Sequence, residues 1–394
     1  MKLLLLLAGV VAQMLGGAWF LETPIVRNGL TEGDAITFSI PVDKLQSGTY
    51  VQFGVTLENL GDKAPRHYCV EVKEGRKWRN ISKQIIRDGI AEYSFNTVVA
   101  KDAHPSTYLE VFRLKRTIKD SLFVRCRVCS HYAADRSVLS AEDPANSVSV
   151  KARSYVGARI APLGRKAPSK SLSLLLVGNS FTYFYGEPLI LQEIAFSQGL
   201  QLDIKASLKG GQTFKQHTGL QMTLNTCSAK IYDYAIIQGQ SQEPARFAED
   251  PTANRGVKLA LCDLCDNIRG LSYDCRILVE NTWAYENGDF GGFGSMERFD
   301  SLLVEGTAKL AAAARADINP VGQAYAAARA AGAPEGLYDT DLKHPGLAGA
   351  YLKACVTYLK LSHHRFKGDV PSCGLPEDVA ANLRSIAQSI VLKK

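Results

Sequence analysis

What this sequence lacks narrows it first. It has no run of Lys and Arg interleaved with aromatics, and its formal net charge of +7 is modest. A nucleic-acid partner is therefore not expected. Its seven histidines form no cluster at ligand spacing, so neither a metal nor any other cofactor is expected. There is no internal repeat and no low-complexity tract beyond one Ala-rich helical stretch. After the first residues, no segment is long and apolar enough to span a bilayer. What is present is globular in composition, 46% hydrophobic and 22% charged. At 394 residues the chain is too long for one ordinary core, and two domains are the default.

The opening "MKLLLLLAGVVAQMLGGAWF" sets one Lys before an apolar run and small residues after it, at Gly16, Gly17 and Ala18. That is the build of a cleaved export signal over residues 1–21, too short and too weakly flanked for a stable membrane anchor. The expected mature chain begins near Trp19 to Glu22 and works in the periplasm or outside the cell. Its nine cysteines are an odd number for a compartment that permits disulfides, and their pairing is not legible. Cys126 and Cys129 lie in a stretch of period two, which puts them on opposite faces. Cys262 and Cys265 lie on or near the apolar side of an amphipathic helix. Both Cys-x-x-Cys pairs read as small buried hydrophobes rather than metal ligands. Asn80-Ile81-Ser82 is a glycosylation sequon that matters only in a eukaryotic host.

Residues 22–150 carry short alternating segments such as "AITFSIPV", "TYVQFGVTLENL", "EYSFNTVV" and "SLFVRCRVCS", separated by turn formers. This spacing predicts an antiparallel β-sandwich. Residues 151–170, rich in Pro, Gly and basic side chains, read as a linker. From 171 to 394 strands and helices alternate. Strands are expected at 172–177, 201–206, 232–238, 275–280 and 318–323. Helices are expected near 186–198, 254–269, 296–316 and 346–361, with one more at the end. Such alternation implies an α/β unit, a parallel sheet covered on both faces. Ligands in such sheets bind at the carboxyl ends of strands, which draws attention to the positions after 177, 238 and 280.

At the first of these ends, in "SLLLVGNSFTYFYGEP", stands Ser180. A serine hydroxyl needs a base before it is a nucleophile. The surrounding residues fail the G-x-S-x-G elbow, so the base must be sought elsewhere. His344 stands out in "LYDTDLKHPGLAGAYLKA", with Asp341 three residues before it and Pro345-Gly346 after it. In a tight turn such a carboxylate accepts the Nδ1–H, fixes the tautomer and leaves Nε2 free for the serine proton. An oxyanion would need donors. The N–H of Ser180, the glycines Gly210 and Gly211, and the amides of Gln238, Gln240 and Gln242 lie at successive strand ends. A plain glycine turn and a polar loop explain those residues as readily. Trp283 follows the fourth strand, where it either stacks on a sugar ring at the rim or packs the base of a loop. His217 receives no role.

In that order, the blocks "VGNSFT", "GGQT", "QGQS" and "DLKHP" resemble the SGNH hydrolases, also called GDSL-like esterases, over about 171–365. The resemblance implies a three-layer, flavodoxin-like fold in which Ser180 is the nucleophile, His344 the base and Asp341 its orienter. It implies an oxyanion hole from Ser180, Gly211 and, in place of the usual Asn, Gln240. Asn179 stands where the family has the Asp of its Gly-Asp-Ser triplet. "GNSFT" with "QxQS" resembles a bacterial branch with an added β-domain, linked to carbohydrate esters. The implied activity is a serine esterase that takes acetyl or other small acyl groups from carbohydrates. The alternatives are a glycan-binding protein with an inactive hydrolase-like domain, and a lipase or phospholipase of the same superfamily.

Overall fold

The alternating segments of the first part fold as two antiparallel sheets. In the computed structural model, residues 159–392 are described throughout; before them, 13–15, 18–20, 25–27, 35–59, 66–81, 85–87, 90–92, 98–99, 106–131 and 148–150 are described. The chain divides into two compact units, residues 1–82 with 99–164, and residues 83–98 with 165–394.

In the first unit Tyr50–Asn59 is flanked by Ser106–Arg113, Val148–Val150 and Arg159–Gly164, all antiparallel to it. The second sheet sets Ser121–His131 between Ala35–Pro41 and Arg66–Glu74. Period-two alternation turns Phe53 and Val51 of one sheet, and Phe38, Val70, Val72, Leu122 and Val124 of the other, into a shared core. Phe38 and Phe53 meet there with ring centroids 5.7 Å apart.

One expectation changes here. The predicted linker contains a strand, Arg159–Gly164, which buries Ala161 against Tyr50–Asn59. Its Pro162 and Gly164, which read as punctuation, coincide with a shift of register, where a strand tolerates them. Within the expected export signal, Gln13–Leu15 pairs with Ala18–Phe20, which in turn pairs with Arg159 and Ile160. The rest of residues 1–21 lies outside the described residues, as do Ser82 of the sequon, the side chain of Cys129 and most of "EYSFNTVV". Cys69 is disulfide-bonded, whereas Cys126 is a free thiol in the core, its pKa pushed well up by burial.

The second unit has five parallel strands in the order Leu200–Leu208, Lys170–Gly178, Tyr234–Ile237, Arg276–Glu280, Asp317–Asn319. By chain position that is 2-1-3-4-5, the flavodoxin-like order, with its switch point at the end of Lys170–Gly178. Leu174 to Val177 are all buried, as the central strand of such a sheet requires. On one face Arg255–Leu271 buries Leu261, Leu264, Cys265 and Ile268 against Val177, Ile237 and Val279. On the other, Glu187–Ser197, Leu347–Ser362 and Glu377–Val391 pack together. The three-layer α/β architecture is thus as expected. The fifth strand is shorter than predicted, since Pro320 caps a helix over Val321–Ala330 and takes residues 320–323 out of the sheet. Short helices at Phe214–Gly219, Gln221–Cys227 and Glu243–Glu249 carried no legible period. Among the described residues no helix is long and apolar enough to cross a membrane.

Candidate active site

The central strand runs out at Gly178, and Ser180 opens a single helical turn, Ser180–Tyr183. A Cβ at Gly178 would lie 2.7 Å from Thr182 Oγ1, so a side chain there would push the Thr182 hydroxyl out of place. Asn179 caps the turn by accepting the Phe181 N–H at 3.1 Å. Its amide nitrogen donates to two carbonyls, Gln212 O at 3.1 Å and Gly239 O at 2.9 Å. Its own N–H goes to Gln238 Oε1 at 3.1 Å, which also accepts the Thr182 hydroxyl at 3.0 Å. Asn179 therefore fastens the loops after the first, second and third strands in sequence to one another. An Asp in its place could not donate to either carbonyl.

The imidazole facing Ser180 comes from the loop before the Leu347–Ser362 helix. Asp341 Oδ1 accepts the N–H of Lys343 at 3.0 Å and of His344 at 2.9 Å, while Oδ2 lies 2.5 Å from His344 Nδ1. This is the geometry expected of Asp and His three residues apart in a tight turn. His344 Nε2 lies 2.8 Å from Ser180 Oγ. With Nδ1–H donating to the carboxylate, Nε2 is left as the acceptor for the serine proton. Burial pushes the Asp341 carboxyl up, but the bonds from the His344 side chain and from the His344 and Lys343 N–H groups outweigh it. The net effect holds the carboxyl below its usual range. Phe184 lies flat on the imidazole, with centroids 4.1 Å apart and planes at 12°, and Phe181 approaches it at 5.1 Å. Neither contact was foreseen. Gly346 lets the loop close on itself, for a Cβ there would sit 2.2 Å from Gly336 O.

Trp283 is not at the rim. It is completely buried, stacked between Phe181 at 4.6 Å and Tyr325 at 4.1 Å, and its Nε1 donates to Lys343 O at 3.0 Å. The expectation of a sugar-stacking face is corrected. Its large apolar body is worth more in the core, and its one donor holds the residue before His344.

Gly211, in the left-handed region at φ 69°, has open space where a side chain would stand. Among the described residues no backbone carbonyl takes its N–H. Gln240 turns its Oε1 to the Gln242 N–H at 2.8 Å, which leaves the amide nitrogen as the end able to donate elsewhere. Gln238 is committed inward to Asn179 and Thr182, and Gln242 donates to Gly291 O at 3.3 Å. Of the three glutamines, Gln240 keeps a donor in hand. Glu243 ties the second and third loops together, accepting the N–H of Phe214 at 3.0 Å and of Gln240 at 2.8 Å. Burial raises its carboxyl to about 7 against the pull of those two N–H groups.

His217 is buried beneath the turn, with Nε2 3.1 Å from Gly178 O and Nδ1 2.8 Å from Thr223 Oγ1. Burial lowers its pKa to about 4, so it is neutral and structural. Cys265 is buried and Cys262 half-buried, both as free thiols, and among the described residues no group of His, Cys, Asp and Glu could hold a metal.

The second unit thus combines a parallel sheet in 2-1-3-4-5 order, a serine at its switch point and a D-x-x-H loop that reaches it from just before the Leu347–Ser362 helix. The second unit has an SGNH-like fold. The sequence matches no family model and no curated protein. Similar solved structures include a DUF4886 family protein from Bacteroides uniformis, at 18% identity and TM-score 0.47, over 56% of this chain and 95% of that one. A protein from Slackia heliotrinireducens assigned as an SGNH hydrolase is similar at 22% identity and TM-score 0.41, over 48% of this chain and 99% of that one. An acetyl xylan esterase variant from Geobacillus stearothermophilus is similar at 14% identity and TM-score 0.39, over 51% and 99%. In all three, less than three-fifths of this chain is covered.

Proposed function

We propose that the protein is an exported serine esterase that removes acetyl or other small acyl groups from carbohydrates. The observation that carries this reading is the unbroken line from Asp341 through His344 to Ser180 at the switch point of the SGNH-like sheet. Ser180 Oγ attacks the ester carbonyl while its proton passes to His344 Nε2. The imidazolium so formed faces Asp341, which also fixes its tautomer. The N–H groups of Ser180 and Gly211 and the Gln240 amide hold the oxyanion. Collapse breaks the bond to the leaving alcohol, which departs with the proton from Nε2 and leaves an acyl group on Ser180. Water then loses a proton to Nε2, attacks the acyl carbon and releases the acid, restoring Ser180.

Two features favour a small acyl group and a polar alcohol. The large exposed apolar side chains of the described residues are few, and of these only Leu342 borders the site, so an extended acyl chain would find little to rest on. The loops around the serine offer Gln240, Gln242, Asn287, Asp289 and Lys343 instead. The complete nucleophile–base line favours an enzyme over a glycan-binding protein with a spent site. Export rests on the apolar opening of the chain, and the N-terminus of protein recovered from the producing cell checks it. The central test is hydrolysis of an aryl acetate and of acetylated polysaccharides. Ser180→Ala is expected to lose roughly 10⁴-fold in kcat on both. A variant that keeps parental turnover sinks the reading, and preference for long acyl chains moves it to a lipase.

A further inference from the structure

Under the Ser180 turn lies a lysine that this chemistry does not use. Lys353 stands in the middle of the Leu347–Ser362 helix and is 2% exposed. A charge buried so fully persists only when paired and hydrogen-bonded. Its ammonium has three donors, and each finds an acceptor: Glu280 Oε1 at 2.7 Å, Phe181 O at 3.1 Å and Thr182 Oγ1 at 3.2 Å. Glu280 is the last residue of its strand, so the pair is anchored to the sheet. Phe181 and Thr182 are the two residues after Ser180. From Thr182 the hydroxyl reaches Gln238 Oε1, which takes the N–H of Asn179, the residue before Ser180. The nucleophile is thus bracketed on both sides by one chain of buried bonds that starts at Lys353. Glu187, buried nearby, is raised to about 8 by burial and the Glu280 charge against the pull of Lys353. The contact at 2.7 Å assigns the ion pair to Glu280.

We propose that Lys353 is a positioning residue, which sets the Ser180 hydroxyl against His344 Nε2 by holding the Phe181 carbonyl and the Thr182 hydroxyl. The inference rests on the reading of Ser180 as nucleophile. A buried ion pair that served stability alone could be replaced by uncharged residues at little cost. Here the same replacement leaves two acceptors of the turn without a donor, whatever happens to stability.

The test is the double variant Lys353→Met/Glu280→Gln, which removes both charges together, so that neither is left buried and unpaired. Its readouts are the thermal midpoint, kcat and KM on an aryl acetate, and the rate at which an aryl phosphonate labels Ser180. The expected result is a folded protein with a lowered midpoint and a near-parental KM, with kcat and labelling both slower by about 10- to 100-fold. Parental labelling in a folded double variant overturns the inference. Should that variant not fold, Thr182→Val and Thr182→Ser decide the matter. Valine is expected to slow labelling several-fold while serine keeps it, and equal rates in both overturn the inference. Failure of the unaltered protein to take up phosphonate at Ser180 is a separate result; it overturns the nucleophile reading, and this inference with it.

Discussion

The Ser180 turn and the His344 loop meet across 2.8 Å but are held in different ways. The turn is wired into the core. Asn179, Thr182, Gln238 and Lys353 are each no more than 3% exposed, and their bonds reach three strand ends and a helix. The loop is held mostly by itself and by side loops, with Leu342 O accepting the Glu286 N–H at 2.8 Å and Asp339 the Tyr185 hydroxyl at 3.1 Å. Asp341 has a side chain 43% exposed and, among the described residues, bonds to Lys343 and His344, while Leu342 stands in the left-handed region at φ 57°. What the loop takes from the core is aromatic: Phe184 against the ring, and Trp283 under the Lys343 carbonyl. The difference teaches that one half of the pair is placed by the whole fold and the other by a few local residues. Damage to the turn should therefore show in stability, and damage to the loop in rate.

Asp341→Asn breaks that comparison hardest on the side of rate. An amide favours the imidazole tautomer with its proton on Nε2, so kcat on an aryl acetate should fall by roughly 10³-fold with an almost unchanged melting temperature. On the side of stability, His217 holds the Gly178 carbonyl below the turn. Its pKa is depressed by burial from an ordinary 6.5 to about 4, so its contribution is complete above pH 6.5 and is lost as pH falls towards 4. Denaturant unfolding should lose about 3 kcal/mol across that window, an acid sensitivity absent from His217→Gln. Asn179→Asp sharpens the contrast, because it turns an acceptor towards two carbonyls. It should cost about 2 kcal/mol of stability or more by denaturant titration, and a neutral effect would show that the amide bonds do not matter. Trp283→Phe is the mildest. It keeps the stacking on Phe181 but drops the bond to Lys343 O, for about 1 kcal/mol and a few-fold change in kcat with KM unchanged.

The same division decides what could be read from the sequence. The Asp341–His344 contact was legible because it is local: the two are three residues apart, and a turn needs nothing else to join them. The place of Ser180 just past a strand end was legible from the strand–helix alternation. Trp283 was misplaced because its neighbours, Phe181 and Tyr325, are distant in sequence, so a buried stack looks the same as an exposed ring until the chain is folded. Lys353 was invisible for a stronger reason. A lysine within a helical pattern reads as a solvated face, and its acceptors lie up to 172 residues away. The strand at Arg159–Gly164 was lost to its own Pro and Gly, residues that mark loops in general and a register shift here.

One contact also bears on how the site can be labelled. With Phe184 flat against His344, the imidazole is open to reagents chiefly along its Nε2 edge, the edge that Ser180 already faces. An alkylating agent aimed at the histidine and an acylating agent aimed at the serine must then use the same doorway. Whichever arrives first shuts the other out, so the two labels are expected never to coexist on one molecule.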